Sequence, residues 1–304
     1  MRRSQMQFEP APQPNHWRSH TDGVIDLVVE AAPQTRATIS VIVPTLNEAA
    51  NIPTVMARIP RWVDEIVVVD GLSTDDTVAV ARRCRPDVRI VIERTPGKGA
   101  ALRAGFAAAR GDIVVMLDAD GSTDPAEIPL FVGALLSGAD VAVGSRFVQG
   151  GGTADMDRFR KFGNWVFTRS VRVGFGARYS DLCYGYTAFW RDIVEVFDGD
   201  YTGFEVETLM HIRALRAGML VAEVPSFESE RLHGVSNLRT IRDGARVLRS
   251  IVSEWFAQYV RRRTIDLAPI ERHRRSRSVV LADLTDIDTI DITYDLDEVG
   301  EIAL

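Results

Sequence analysis

Two cysteines, Cys84 and Cys183, are all that the 304 residues contain. A disulfide framework is excluded in practice, and a reducing compartment is the default expectation. Lysine is as scarce. Lys98 and Lys161 are the only two, so nearly all positive charge is arginine. No apolar run approaches the ~20 residues that span a bilayer. The stretch after Arg2 and Arg3 is polar and proline-containing, without the apolar segment of a signal peptide. A formal net charge of −6 gives no sign of general nucleic-acid binding. The P-loop spacing is missing, and the dinucleotide fingerprint fails at Leu102, after Gly97-Lys98-Gly99. No internal repeat is visible.

What is present is a chain with 46% hydrophobic residues, long enough to bury a substantial core. Residues 1–36, with Pro10, Pro12 and Pro14, read as a mobile leader. Strands are expected at 38–43 (TISVIV), 65–69 (EIVVV), 88–92 (VRIVI), 112–117 (DIVVML) and 140–143 (DVAV). Helices fall between them: to about Arg58, over 76–84 and 98–110, and from Pro125 to Ser137, with Asp124 as N-cap. This alternation predicts an α/β fold with parallel strands and helices on both faces. Ligands then bind beyond the carboxyl ends of the strands.

The pattern changes from about Gly150. Residues 157–175 interleave Phe159, Phe162, Trp165 and Val166 with Arg158, Arg160, Lys161, Arg169 and Arg172 at helical spacing. Such a helix either lies in a membrane interface or packs its apolar stripe on the sheet. A helix over 204–217, a strand over 219–224 and a long helix over about 238–262 follow. The end is Arg-rich over 261–277 and acidic over 280–304. The expected organisation is a leader (1–36), one α/β domain (37–240), a helix (241–262) and a flexible charged tail (263–304).

The strand ends carry the chemistry. Asp118 and Asp120 follow VVML, and residues i and i+2 of an extended chain share a side. Two such carboxylates can hold Mg²⁺ or Mn²⁺ together with substrate phosphates, or remain solvated loop acids. Asp70 ends the neighbouring strand, where a carboxylate can accept from a base or ribose; Ser73 and Asp75 read better as caps. Asn47 and Glu48, after Pro44, face the same crevice or simply start a helix. Gly97-Lys98-Gly99 opens a helix whose N-terminus favours anions.

These segments, VPTLNE (43–48), VVVDGLSTDDT (67–77), GKGAALRAGF (97–106) and MLDADGSTDP (116–125), occur in one order and at familiar distances. Together they resemble the inverting family-2 glycosyltransferases of the GT-A fold, a Rossmann-like, mostly parallel sheet flanked by helices. GSRF (144–147), DLCYGYTAFWR (181–191), GFEVETL (203–209) and RLHGVSNL (231–238) are similar to the dolichol-phosphate mannose synthase-like branch. The match covers roughly residues 38–240.

The resemblance implies that Pro44, Leu46, Asn47, Glu48 and Asp70 line the nucleotide pocket. Lys98 joins them from its position at the helix start. It further implies that Asp118 and Asp120, with Ser122 nearby, hold the metal and donor diphosphate. Arg146, Arg160 and Arg231 match phosphate-binding positions, and Ser236 completes an R-x-x-G-x-S pattern. Three positions depart from the family: Gly71 stands where many relatives have Asp, Ser122 where Gln is frequent, and Asn164 where Ser often follows the acceptor-binding Arg.

The implied reaction moves a hexose from GDP-mannose or UDP-glucose to a polyprenyl or dolichyl phosphate, with Mg²⁺ or Mn²⁺. The expected place is the inner face of the cytoplasmic membrane, reached peripherally. An ionised phosphate acceptor needs alignment and charge stabilisation more than a base. A hydroxyl acceptor would require a carboxylate base, for which Asp181, Glu205 and Glu207 are candidates. The alternatives are a soluble phosphorylated acceptor, a polysaccharide hydroxyl, or a non-catalytic nucleotide-sugar-binding partner. His233 and His211 read as a loop histidine and a structural one. Oligomeric state is unreadable.

Overall fold

The computed structural model describes residues 36–199, 201–234, 239–261 and 264–274. Nine strands are found among them: β1 (Ile39–Thr45), β2 (Glu65–Asp70), β3 (Arg89–Ile92), β4 (Ile113–Met116), β5 (Val141–Ser145), β6 (Gly152–Thr153), β7 (Thr187–Trp190), β8 (Val221–Pro225) and β9 (Phe227–Glu228). The α-helices are α1 (Ile52–Arg58), α2 (Thr77–Cys84), α3 (Lys98–Ala108), α4 (Ile128–Leu136), α5 (Arg158–Phe175), α6 (Val206–Arg216) and α7 (Thr240–Tyr259).

Seven strands form one sheet in the order β3-β2-β1-β4-β7-β5-β8, and β6 pairs with β9. All neighbours in the main sheet are parallel except around β7, which runs antiparallel to β4 and β5. The mostly parallel α/β architecture is therefore present. β7 is the strand that periodicity misses, because its four residues sit inside an aromatic run without turn signals.

Alternation along each strand divides the core. Val41, Val43, Val68 and Val115 face α1, α2 and α4 through Ile52, Val55, Met56, Ala81 and Phe131. Ile42, Val67, Val69, Val114 and Met116 face α3 and α6 through Leu102, Phe106, Leu209 and Met210. Each such large apolar side chain contributes about 1.5–3 kcal/mol on burial. Helix α3 approaches the sheet closely at Gly105, where a Cβ would stand 2.4 Å from Ile42 Cγ2. A third, smaller core joins α5, α6 and α7 through Val171, Ile212, Val247 and Ile251. Helix α5 is started by Asp157, whose side chain accepts from the Arg160 N–H. Asp124 caps in the same way, accepting from the Ala126 N–H.

The tail does not begin as expected. Residues 268–274 are helical, and Ile270 is buried in the α3/α6 core. His273 lies between Asp192 (Nδ1, 2.9 Å) and Asp140 (Nε2, 3.4 Å). Within 264–274 an apolar anchor and ion pairs join the chain to the sheet domain. Residues 275–304 and nearly all of the leader lie outside the described residues.

Candidate active site

Parallel register gathers the site. Thr45 of β1 lies opposite Asp70 of β2, and Ile42 opposite Met116 of β4. The chain segments leaving β1, β2 and β4 therefore emerge along one rim. Beyond β4, Ala119 turns into the core, while Asp118 and Asp120 turn to the rim. Residues 119–120 form a turn and not the extended chain of the i, i+2 argument, yet both carboxylates reach the same cavity.

Both carboxylates line a cavity of about 900 Å³. Pro44, Leu46, Glu48, Lys98, Ser122, Arg146, Arg160 and Arg231 also line it. Leu72 adds a strained wall position at φ 64°, a backbone region costly for a bulky residue.

Three cations in this wall are each held by two carboxylates. Lys98 Nζ lies 2.6 Å from Asp118 Oδ1 and 2.8 Å from Glu207 Oε1. Arg231 reaches Glu48 (2.9 Å) and Asp120 (3.2 Å). Arg146 donates to Asp181 through Nε (2.6 Å) and Nη2 (2.8 Å), and to Glu228 through Nη1 (3.0 Å). Burial by itself would discharge Lys98. The facing carboxylates overcome it and hold the ammonium well above the ordinary lysine pKa. Burial raises the pKa of Glu207, with Lys98 opposing.

Several of the expected site residues are engaged within the protein. Asp181 is fully buried, does not line the cavity and has both oxygens on Arg146. Arg146 itself is 4% exposed and donates to Asp181 and Glu228. Asn47 turns away from the cavity and accepts from the Thr74 N–H and hydroxyl, bracing the 73–75 turn. Asp70 is 3% exposed and accepts from the Ser73 N–H, so it acts as a turn cap. The start of α3 is closed to anions, because the Gly99 and Ala100 N–H groups donate to the Thr202 carbonyl. Glu205 accepts from the Thr202 and Gly203 N–H groups and does not line the cavity. Asn164 ties α5 to the 180–182 segment through Ser180 O and Leu182 N. His211 is buried, and its pKa is pushed down to about 4, so it is neutral at neutral pH. Ser236 lies outside the described residues.

Two contacts were beyond sequence reasoning. Glu48 meets Arg231 across 183 positions, and Arg146 meets Glu228 across 82. Only spatial folding brings them together.

The donor set suits a hard divalent ion. Asp118, Asp120 and Ser122 offer only oxygen, and Ser122 Oγ donates to Asp120 Oδ1 at 2.7 Å. No cluster of three or more His, Cys, Asp or Glu side chains able to hold a metal occurs among the described residues. Such an ion would therefore share its shell with substrate. The cavity wall carries eight carboxylates against five cations, a formal balance of −3. A wall of that sign does not take up anionic ligands unaided.

At its other end the cavity opens between α5 and α7, along Phe159, Phe162, Phe167, Ile241 and Leu248. Phe159, Phe162 and Trp165 are about 60% exposed, and Ile241 is 80% exposed. Val252, Trp255 and Phe256 continue this apolar face along α7. No helix among the described residues is long and apolar enough to cross a membrane.

A mostly parallel sheet with paired carboxylates at its ligand-facing rim defines the GT-A class of sugar transferases. Residues 40–197 match the glycosyl transferase family 2 model, and the chain belongs to that family. Polyprenol monophosphomannose synthase of Mycolicibacterium smegmatis is 34% identical over 239 residues, which covers 71% of this chain and 85% of that protein. Undecaprenyl-phosphate mannosyltransferase of Micrococcus luteus is 35% identical over 211 residues, covering 65% and 86%. Among solved structures, glucosyl-3-phosphoglycerate synthase of Mycobacterium tuberculosis, in complex with Mn²⁺, UDP and glucosyl-3-phosphoglycerate, matches with a TM-score of 0.58. It is 27% identical and covers 71% of this chain and 79% of that one. The chain is a glycosyltransferase.

Proposed function

We propose that this enzyme transfers a hexose, mannose in the first instance, from a nucleotide-diphosphate sugar to a polyprenyl phosphate at a membrane surface. One observation carries the reading: a single cavity joins the Asp118/Asp120 rim to an exposed apolar face on α5 and α7. A charged donor and a lipid-linked acceptor need that combination. The polyprenyl-phosphate mannosyltransferases named above support both the acceptor and the sugar.

In this reading Pro44, Leu46, Glu48 and Leu72 receive the nucleoside. Asp118 and Asp120, assisted by Ser122, hold Mg²⁺ or Mn²⁺ with the donor diphosphate. When bound, the ion neutralises charge developing on the leaving diphosphate. Arg160 is placed for the acceptor phosphate. It stands at the mouth of α5 and keeps an ion pair with Asp155 at 2.9 Å. The ionised phosphate attacks the anomeric carbon with inversion, so the absence of a base around Asp181 is no obstacle. The α5 face, with Arg158, Lys161, Arg169 and Arg172 beside its aromatics, rests on the lipid surface from the cytoplasmic side.

The full-length enzyme with Mg²⁺, labelled GDP-mannose or UDP-glucose, and polyprenyl phosphate should yield a labelled lipid extractable into organic solvent. A second reading is supported by the glucosyl-3-phosphoglycerate synthase likeness: a soluble phosphorylated acceptor. Transfer to phosphoglycerate, with none to lipid, would establish that reading and exclude the first.

A further inference from the structure

We propose that Lys98 is an internal counter-cation standing at Asp118 until a divalent ion arrives, and that Glu207 is the positioning residue that then retains it in the cavity. The inference rests on the functional reading above. Its basis is the geometry of one ammonium shared by two carboxylates, 2.6 Å from Asp118 and 2.8 Å from Glu207. The wall is shaped around that group. At Gly185 a Cβ would lie 2.6 Å from Lys98 Nζ and 2.7 Å from Asp118 Oδ2, so residue 185 leaves room for the ion pair and nothing more.

Charge gives the direction of the exchange. Lys98, Asp118 and Glu207 together carry −1, and so do Arg231, Asp120 and Glu48. The six side chains sum to −2, the charge one divalent ion compensates. An ammonium and a divalent cation repel when they share Asp118. Lys98 has a second carboxylate within reach, on the buried side of the cavity, where Glu207 is 4% exposed. Retreat to Glu207 keeps the ammonium in the wall beside the donor site, so arrival of the metal does not expel the cation that a diphosphate also needs. Arginine could not substitute. Its planar fork is longer and would meet the Gly185 backbone, whereas an ammonium is compact and can turn between two partners.

The chain contains two lysines, so ¹⁵N-lysine labelling gives two side-chain Nζ signals. Lys161 is exposed on α5 and serves as the internal reference. Mg²⁺ with a nucleoside diphosphate should shift the Lys98 signal and leave Lys161 in place, and Asp118→Asn should abolish the shift. By Mn²⁺ electron paramagnetic resonance, Lys98→Met should bind the ion about tenfold more tightly, and Glu207→Gln should bind it more weakly. An Nζ signal of Lys98 that stays fixed while Mg²⁺ and the nucleoside diphosphate are bound overturns the exchange, as does unchanged or weakened Mn²⁺ affinity in Lys98→Met. Failure of the wild-type enzyme to bind Mn²⁺ with nucleotide overturns the functional reading itself. The two failures are thus told apart.

Discussion

The two ends of the cavity are built on opposite rules. At the sheet rim every buried cation is bracketed by carboxylates, as with Arg146 between Asp181 and Glu228. Between α5 and α7, large apolar side chains stand in the open, as with Phe162 and Ile241. A rim of that kind is held rigid by its own charges and accepts a ligand only by exchanging partners. An open apolar face is stable only while something else covers it. The contrast teaches that the rim satisfies its charges internally, whereas the α5/α7 face leaves its apolar side chains uncovered.

Three variants sharpen or break that contrast, in falling order of effect. Asp120→Ala should lower sugar transfer by about 10³-fold or more while the melting temperature moves little, measured by product formation and calorimetry. Arg146→Met leaves Asp181 and Glu228 buried without their cation. It should cost about 3–5 kcal/mol in denaturant unfolding. A small change there would mean that the rim is not charge-locked. Phe162→Ser with Trp165→Ser should weaken partition onto anionic vesicles by about tenfold per side chain and leave nucleotide binding intact. Equal vesicle binding would remove the acceptor end from the membrane.

The smallest effect concerns the clasp at 264–274, which does not line the cavity. Burial works against the charge on His273, yet Asp140 and Asp192 hold its pKa above the usual value of about 6.5. A raised pKa means stability present below the unfolded value and lost as pH rises through the folded one. Asp140 is held low, with burial opposed by His273 and by the Leu220 N–H, so its contribution is lost on acidification. His273→Gln should flatten the alkaline fall in melting temperature. An unchanged profile would assign that fall elsewhere.

Much of this was legible beforehand. Strands β1 to β5 and the placement of Asp118 and Asp120 follow from local periodicity, which senses period 2 and the polar residue that ends each run. Asp124 and the α5 stripe were readable for the same local reason. Partner choice was not. Lys98, Arg146 and Asp181 carry the right charges for ligand or base roles, but the fold spends those charges on one another, and ion pairing between distant segments leaves no periodic trace. The turn contacts of Asn47 and Asp70 were equally invisible, because strand-end polar residues serve turns as readily as substrates. Strand β7 escaped because its four residues, Thr187 to Trp190, sit in an aromatic run and carry too little period to register.

The most direct test is a crystal of the enzyme grown with Mn²⁺ and a nucleoside diphosphate, with data collected at a wavelength where manganese scatters anomalously. The account predicts one peak within coordination distance of oxygens from both Asp118 and Asp120, bridging to the diphosphate. A diphosphate seated in the cavity with its metal elsewhere, or with Lys98 still on Asp118 and no metal at all, would contradict it.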